Sequence, residues 1–126
     1  MSELTVHHVT EIPYYQGEHE IPGIRFHHAR QALGVSAWGM NVIALEPSTT
    51  GYPEHDHATD GQEEVYVVLS GAVELHTEAG ITSLRQVHMV RVPPTVSRKL
   101  VTADEPATIL ALGATPGVAY SPSPGM

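Results

Sequence analysis

An all-β sandwich or barrel is the fold class this sequence predicts, on two observations. Turn punctuation recurs about every ten residues: Pro47 to Pro53, Asp60-Gly61, Ser70-Gly71, Ala79-Gly80, Pro93-Pro94, Asp104 to Pro106 and Pro116-Gly117. Between the marks lie short, β-rich runs rather than long stretches of helical period. In order these runs are MNVIAL (40–45), EVYVVL (64–69), AVELHT (72–77), HMVRV (88–92), KLVT (99–102) and TILALG (108–113). One segment is ambiguous. HHARQALG (27–34) fits a helical turn capped by Gly34, or a strand continued from Ile24. The end of the chain, 119–126, reads as a loose tail, because the prolines of SPSPGM cannot pair inside a sheet.

The 126 residues suit a single domain, with a core spanning about 36–113. An apolar share of 41% against 16% charged is that of a globular chain, not a disordered one. Fourteen acidic residues face six basic ones, so a phosphate backbone would be repelled and nucleic-acid binding is not expected. No apolar run approaches the roughly 20 residues of a membrane span. The N-terminal MSELTVHHVTEIPYY lacks the features of a signal peptide, and cysteine is absent. These features lead us to expect a cytoplasmic protein.

Nine histidines suggest metal or proton chemistry, and PEHDHATDGQEEVYVVLSG (53–71) concentrates the signal. Strand alternation sends His55 and His57 to one face, about 6–7 Å apart, with Asp56 pointing away. A reversal at Asp60-Gly61 can bring Glu64 opposite the pair, where facing side chains have Cβ atoms about 5 Å apart. Three such ligands can share one divalent ion at about 2.0–2.2 Å each and leave coordination positions open, as in non-haem iron oxygenases. Glu63 competes with Glu64. The alternation Glu64, Tyr66, Val68 favours Glu64, leaving Glu54, Asp56, Asp60 and Glu63 as solvated loop acids. Tyr66 shares the face of Glu64 and is a candidate to protonate or hydrogen-bond a ligand, or a core residue with its hydroxyl satisfied. Trp38 and Met40 are further cavity candidates that packing alone also explains. His7, His8 and His19 read as surface residues, and His76 and His88 as lying away from the site. One of His27 and His28, which differ in parity, faces inward.

The stretch GYPEHDHATDGQEEVYVVLSG (51–71) resembles the first motif of the cupin superfamily, G-x5-H-x-H-x3,4-E-x6-G. Its E-x6-G half fits Glu64 and Gly71, while the Gly-to-His interval is shorter and the His-to-Glu loop longer than the pattern. VHMVRVPPTVSRKLVT (87–102) resembles the second motif, G-x5-P-x-G-x2-H-x3-N, with Pro93 in place and Thr95 where the second glycine belongs. The resemblance implies a double-stranded β-helix, that is, a jelly-roll barrel, and a homodimer. It also implies a divalent ion held by His55, His57 and Glu64, which could be iron, manganese, zinc, nickel or copper. Arg98 falls where the family's third histidine ligand belongs. A guanidinium has no lone pair to offer, so two readings follow. Either Arg98 lines the cavity and grips an anionic or enolic substrate beside the metal, or it pairs with Glu64 and the barrel is metal-free.

The function expected is that of a small metal-dependent enzyme, a dioxygenase-type oxidoreductase acting on a small organic acid or enol, with Arg98 and Tyr66 as catalytic groups. An isomerase, lyase or cyclase would use the same metal without oxygen. A non-catalytic barrel binding a small ligand is the alternative, and an oligomerising scaffold is a third.

Overall fold

The computed structural model of the chain describes residues 3–122. A 3₁₀ turn (Val9–Glu11) precedes β1 (Ile24–His27), α1 (Ala29–Leu33) and β2 (Gly39–Leu45). Then follow β3 (Glu63–Thr77), β4 (Gly80–Arg85), β5 (Met89–Val92), β6 (Lys99–Val101) and β7 (Ala107–Ala114). The ambiguous HHARQALG segment is both things in turn. The strand ends at His27 and the helix at Gly34, whose φ of 76° gives the left-handed cap. No helix among the described residues is long and apolar enough to cross a membrane.

All strand pairings are antiparallel, and β3 belongs to both halves of the jelly roll. Its first half lies between β7 and β5, and β2 and β1 continue outward from β7. Its second half lies between β4 and β6. The runs expected as two strands, 64–69 and 72–77, are thus one long strand. Its inward residues change parity midway, from Tyr66 and Val68 to Val73 and Leu75, all in one core cluster. The register slips between Val68 and Ser70, and one extra residue is what such a change requires. Just beyond, Gly71 (φ 78°) crosses the chain so closely that a side-chain carbon there would overlap the Pro106 carbonyl. That contact explains the glycine closing the first motif.

β4 escaped the sequence reading. Its residues GITSLR bury Leu84 alone, so this edge strand shows little apolar signal. Val87, before β5, falls at the position of the second motif's opening glycine and takes φ 72°, a left-handed conformation rarely adopted by a β-branched residue.

Both halves feed a single core that includes Ile43, Leu45, Leu84, Val92, Leu100 and Ile109. A smaller cluster, Ile12, Ala29 and Val42, packs α1 and the N-terminal segment on the outer face of β2. Met40 belongs to that outer cluster and Trp38 is 44% exposed, so neither is a cavity residue. Inward positions on β2 are Asn41 and Ile43 instead. Of the tail expected to be loose, residues 123–126 lie outside the described residues. Tyr120 is not loose, because its ring lies where a side chain on Gly39 would stand.

Candidate metal centre

The two histidines sit on an irregular segment, not on a strand paired with β3. His55 makes an antiparallel bridge to Arg98, with His55 N–H to Arg98 O at 3.1 Å and Arg98 N–H to His55 O at 2.9 Å. The His57 N–H donates to Pro94 O at 2.8 Å. The expected hairpin between the histidines and Glu64 is therefore replaced by pairing of the first motif with the second. Glu64 itself comes from β3, between Val92 and Gly113.

The three side chains nevertheless converge: a donor atom from each of His55, His57 and Glu64 lies within 4.8 Å of the others. His55 Nδ1 is 3.0 Å from Pro53 O, and His57 Nδ1 is 3.2 Å from both Asp60 oxygens. A carbonyl and a carboxylate can only accept, so each Nδ1 carries a hydrogen, and in the neutral ring each Nε2 is the atom with a lone pair for an ion. Those Nε2 atoms stand 3.9 Å from Glu64 Oε1 and 4.0 Å from Oε2. Two oriented imidazoles and a carboxylate are a donor set suited to a divalent transition metal, so the residues present fit such an ion.

Asp60 is thus not the free loop acid expected from the sequence. Partial burial pulls its pKa up, but the Gln62 N–H and the His57 ring outweigh this and leave it below the usual carboxylate value.

Arg98 is fully buried behind Glu64. Nη1 donates to Glu64 Oε1 at 2.7 Å, Nη2 to Pro93 O at 2.9 Å and Nε to Val96 O at 2.9 Å. Bound in this way, the guanidinium does not line the cavity, and the expectation that it grips substrate there is corrected. The expected pairing with Glu64 is present. It does not use up the carboxylate, because both close donors fall on Oε1. The second donor is Tyr66, whose hydroxyl donates at 2.8 Å. Oε2 faces His57.

Tyr66 also lies outside the cavity lining, with no exposed surface. Burial pushes its phenol well above the usual range, so it serves as a neutral donor to Glu64 and not as a proton shuttle for a ligand. Because its hydrogen goes to Glu64, its oxygen accepts from Tyr52, 3.2 Å away. Tyr52, likewise raised by burial, does line the cavity and was missed from the sequence.

The ligand face opens into a cavity of about 380 Å³, the size of a small-molecule site. His28 lines it and His27 does not. His27 turns outward, where Nδ1 meets Ile12 O at 2.7 Å. Alternation from Ile24 through Phe26 to His28 was the available signal. His19, expected as a plain surface residue, stands at the cavity as well. His76 pairs with Glu74 at 3.0 Å, and His88 Nδ1 accepts from the Arg85 N–H, both away from the site as expected. Glu63 is held by Arg91 at 2.6 Å, which leaves Glu64 as the inward carboxylate.

No family model matches the sequence, and no curated protein matches it. Solved structures do. One is a sugar phosphate isomerase from the cupin superfamily of Silicibacter pomeroyi, similar at a TM-score of 0.72 and 21% identity over 91% of this chain and 75% of the other. A cupin protein from Bacteroides fragilis is similar at 0.70 and 17%, over 98% and 93%. A predicted oxalate decarboxylase from Thermotoga maritima is similar at 0.69 and 17%, over 87% and 98%. Likeness over most of the chain to structures of the cupin superfamily leads to one conclusion: this chain has the cupin fold, with a group of its own, His55, His57 and Glu64, that could hold a metal ion.

Proposed function

We propose that the chain is a metal-dependent enzyme acting on a small enolic or enolisable molecule inside the barrel, with dioxygenase-type oxidation as the reaction. The observation that carries this reading is the convergence of His55, His57 and Glu64 within 4.8 Å at the edge of a half-open cavity of about 380 Å³. A divalent ion bound there would supply Lewis acidity with coordination positions left open. The protein's own part is orientation. Pro53 O and Asp60 hold the imidazoles, Tyr66 and Arg98 hold one oxygen of Glu64, and Tyr52 supports Tyr66. His28 and His19 are the imidazoles that line the cavity outside the ligand set, while burial holds the Tyr52 and Tyr66 phenols neutral.

Arg98 lies behind Glu64, so the anionic substrates first expected lose their support. An oxalate or a sugar phosphate, the compounds named for two of the similar structures, would meet neither lysine nor arginine in the cavity lining. The enolic reading needs no such cation.

One observation favours a second reading, a metal-free ligand-binding barrel: the 2.7 Å Arg98–Glu64 pair already balances the carboxylate. Metal content of freshly purified protein separates the two. Near one redox-active ion per chain, lost in His55→Ala, together with dioxygen uptake on enolic compounds supports the enzyme. Absence of metal from both proteins supports the ligand barrel and refutes the enzyme.

A further inference from the structure

The cavity wall beside the ligand face is aromatic and carries no cationic side chain of lysine or arginine. Phe26 and Tyr52 have ring centroids 6.2 Å apart with planes at 35°, and Tyr52 and His55 are 5.9 Å apart at 41°. His55 and His57 continue the row at 5.1 Å. Four rings thus run without a break from β1 to the histidine pair, and Ile43 and Ala111 add apolar lining.

Two polar side chains interrupt this wall without belonging to the ligand set. His28 makes no capping bond to the helix it precedes. Asn41 stands on the inward face of β2, level with Ala111, among apolar neighbours. Both side chains are half-buried at the cavity and neither leaves a buried polar atom without a partner, so their polar ends stay open to a molecule that enters it.

We propose that the cavity takes an uncharged aromatic molecule bearing a carbonyl or enol oxygen, its flat ring against Phe26 and Tyr52 and a polar substituent bonded by Asn41 or His28. This rests on the reading of the cavity as the substrate site and names the class of substrate. Flat π-faces suit offset or tilted stacking on such a row, and away from the ligand face an anionic group would lose its hydration with no lysine or arginine to replace it. The ring preference belongs to the wall and does not depend on a metal, so it is testable apart from metal binding.

The test compares acetophenone with cyclohexyl methyl ketone, its puckered analogue, and with oxalate. Titration calorimetry on the full chain is run as purified and after metal removal, with metal per chain measured in wild type and His55→Ala. Acetophenone is expected to bind at least tenfold tighter than the cyclohexyl ketone in both states. Phe26→Leu, which keeps the bulk but loses the ring, reduces that ratio below threefold. Asn41→Ala or His28→Ala weakens acetophenone but not toluene, which has no oxygen to bond; acetophenone affinity unchanged in both variants overturns the proposal. Equal affinity for the flat and puckered ketones overturns the proposal, as does a ratio unchanged in Phe26→Leu or tighter binding of oxalate to the metal-free chain. Failure to bind acetophenone up to its solubility limit also overturns it. A ring preference without metal uptake would refute the metal-dependent reading and leave this one standing. Metal uptake that His55→Ala removes, without a ring preference, would do the reverse.

Discussion

Arg98→Met removes a buried charge whose every close contact is known. The guanidinium has no exposed surface and donates three hydrogen bonds, to Glu64, Pro93 and Val96. Methionine fills much of the volume but leaves the Glu64 carboxylate, 13% exposed, with the Tyr66 hydroxyl as its close donor. Breaking one side of a buried ion pair costs about 3–5 kcal/mol. For a chain of this length that is a fall in melting temperature on the order of 10–20 °C. The same substitution should have the opposite effect on metal affinity. In the wild type an arriving cation meets a carboxylate already balanced by Arg98; in the variant it meets an unbalanced one. Zinc should bind the variant at least about tenfold tighter, roughly 1.4 kcal/mol. Added zinc should therefore raise the variant's melting temperature more than the wild type's. Differential scanning calorimetry with and without zinc, and a direct zinc titration, measure both effects. The double variant Arg98→Met/Glu64→Gln should recover much of the metal-free stability and lose the zinc response. A destabilisation below about 1 kcal/mol, well short of the range for a broken buried pair, would refute the reasoning. So would zinc binding that weakens in Arg98→Met, because Arg98 would then support the ion instead of competing with it.

Other perturbations follow from the same structure. Asp60→Ala frees the His57 ring and should weaken zinc binding about 10–100-fold with little change in circular dichroism; unchanged affinity would show that Asp60 does not orient the ligand. Burial raises the Tyr66 and Tyr52 phenols, so their contribution to stability is complete below the unfolded value near pH 10 and is lost as pH rises beyond it, at about 1.4 kcal/mol per pH unit for each. Tyr66→Phe removes one of the two, so the alkaline fall in stability measured by urea melts should be shallower by about that amount; an identical slope would contradict the assignment. Val87→Gly should raise stability by about 0.5–1 kcal/mol, because relief of left-handed strain exceeds the entropy of a new glycine at this exposed position. A lower melting temperature would refute that balance. The homodimer implied by the motif resemblance predicts twice the chain mass in sedimentation equilibrium at micromolar concentration, and a single-chain mass would count against it.

Much of this molecule is legible in local spacing. The turn marks divide the chain at nearly every strand end, and the two-residue period puts Glu64 with Tyr66 on β3, while the spacing of His55 and His57 pairs them on a segment that the second motif holds in place. The glycine at 71 is equally local in its sequence position, although its cause, the Pro106 carbonyl, lies 35 residues away. Period alone could not reveal β4, because an edge strand with one buried residue leaves its other positions to solvent. Nor could it carry parity through the slip at Leu69, which depends on how β3 pairs with β7. The roles of Arg98 and Tyr66 were decided by tertiary structure. Arg98 lies 34 residues from Glu64 in the chain, and only the bridge of its backbone to His55 places its guanidinium behind the carboxylate, with Pro93 O and Val96 O holding it there. Residue types and spacing determined which groups can bind a metal. Which charge stands behind Glu64, and which rings face the ligand, depended on contacts between distant segments that no local period encodes.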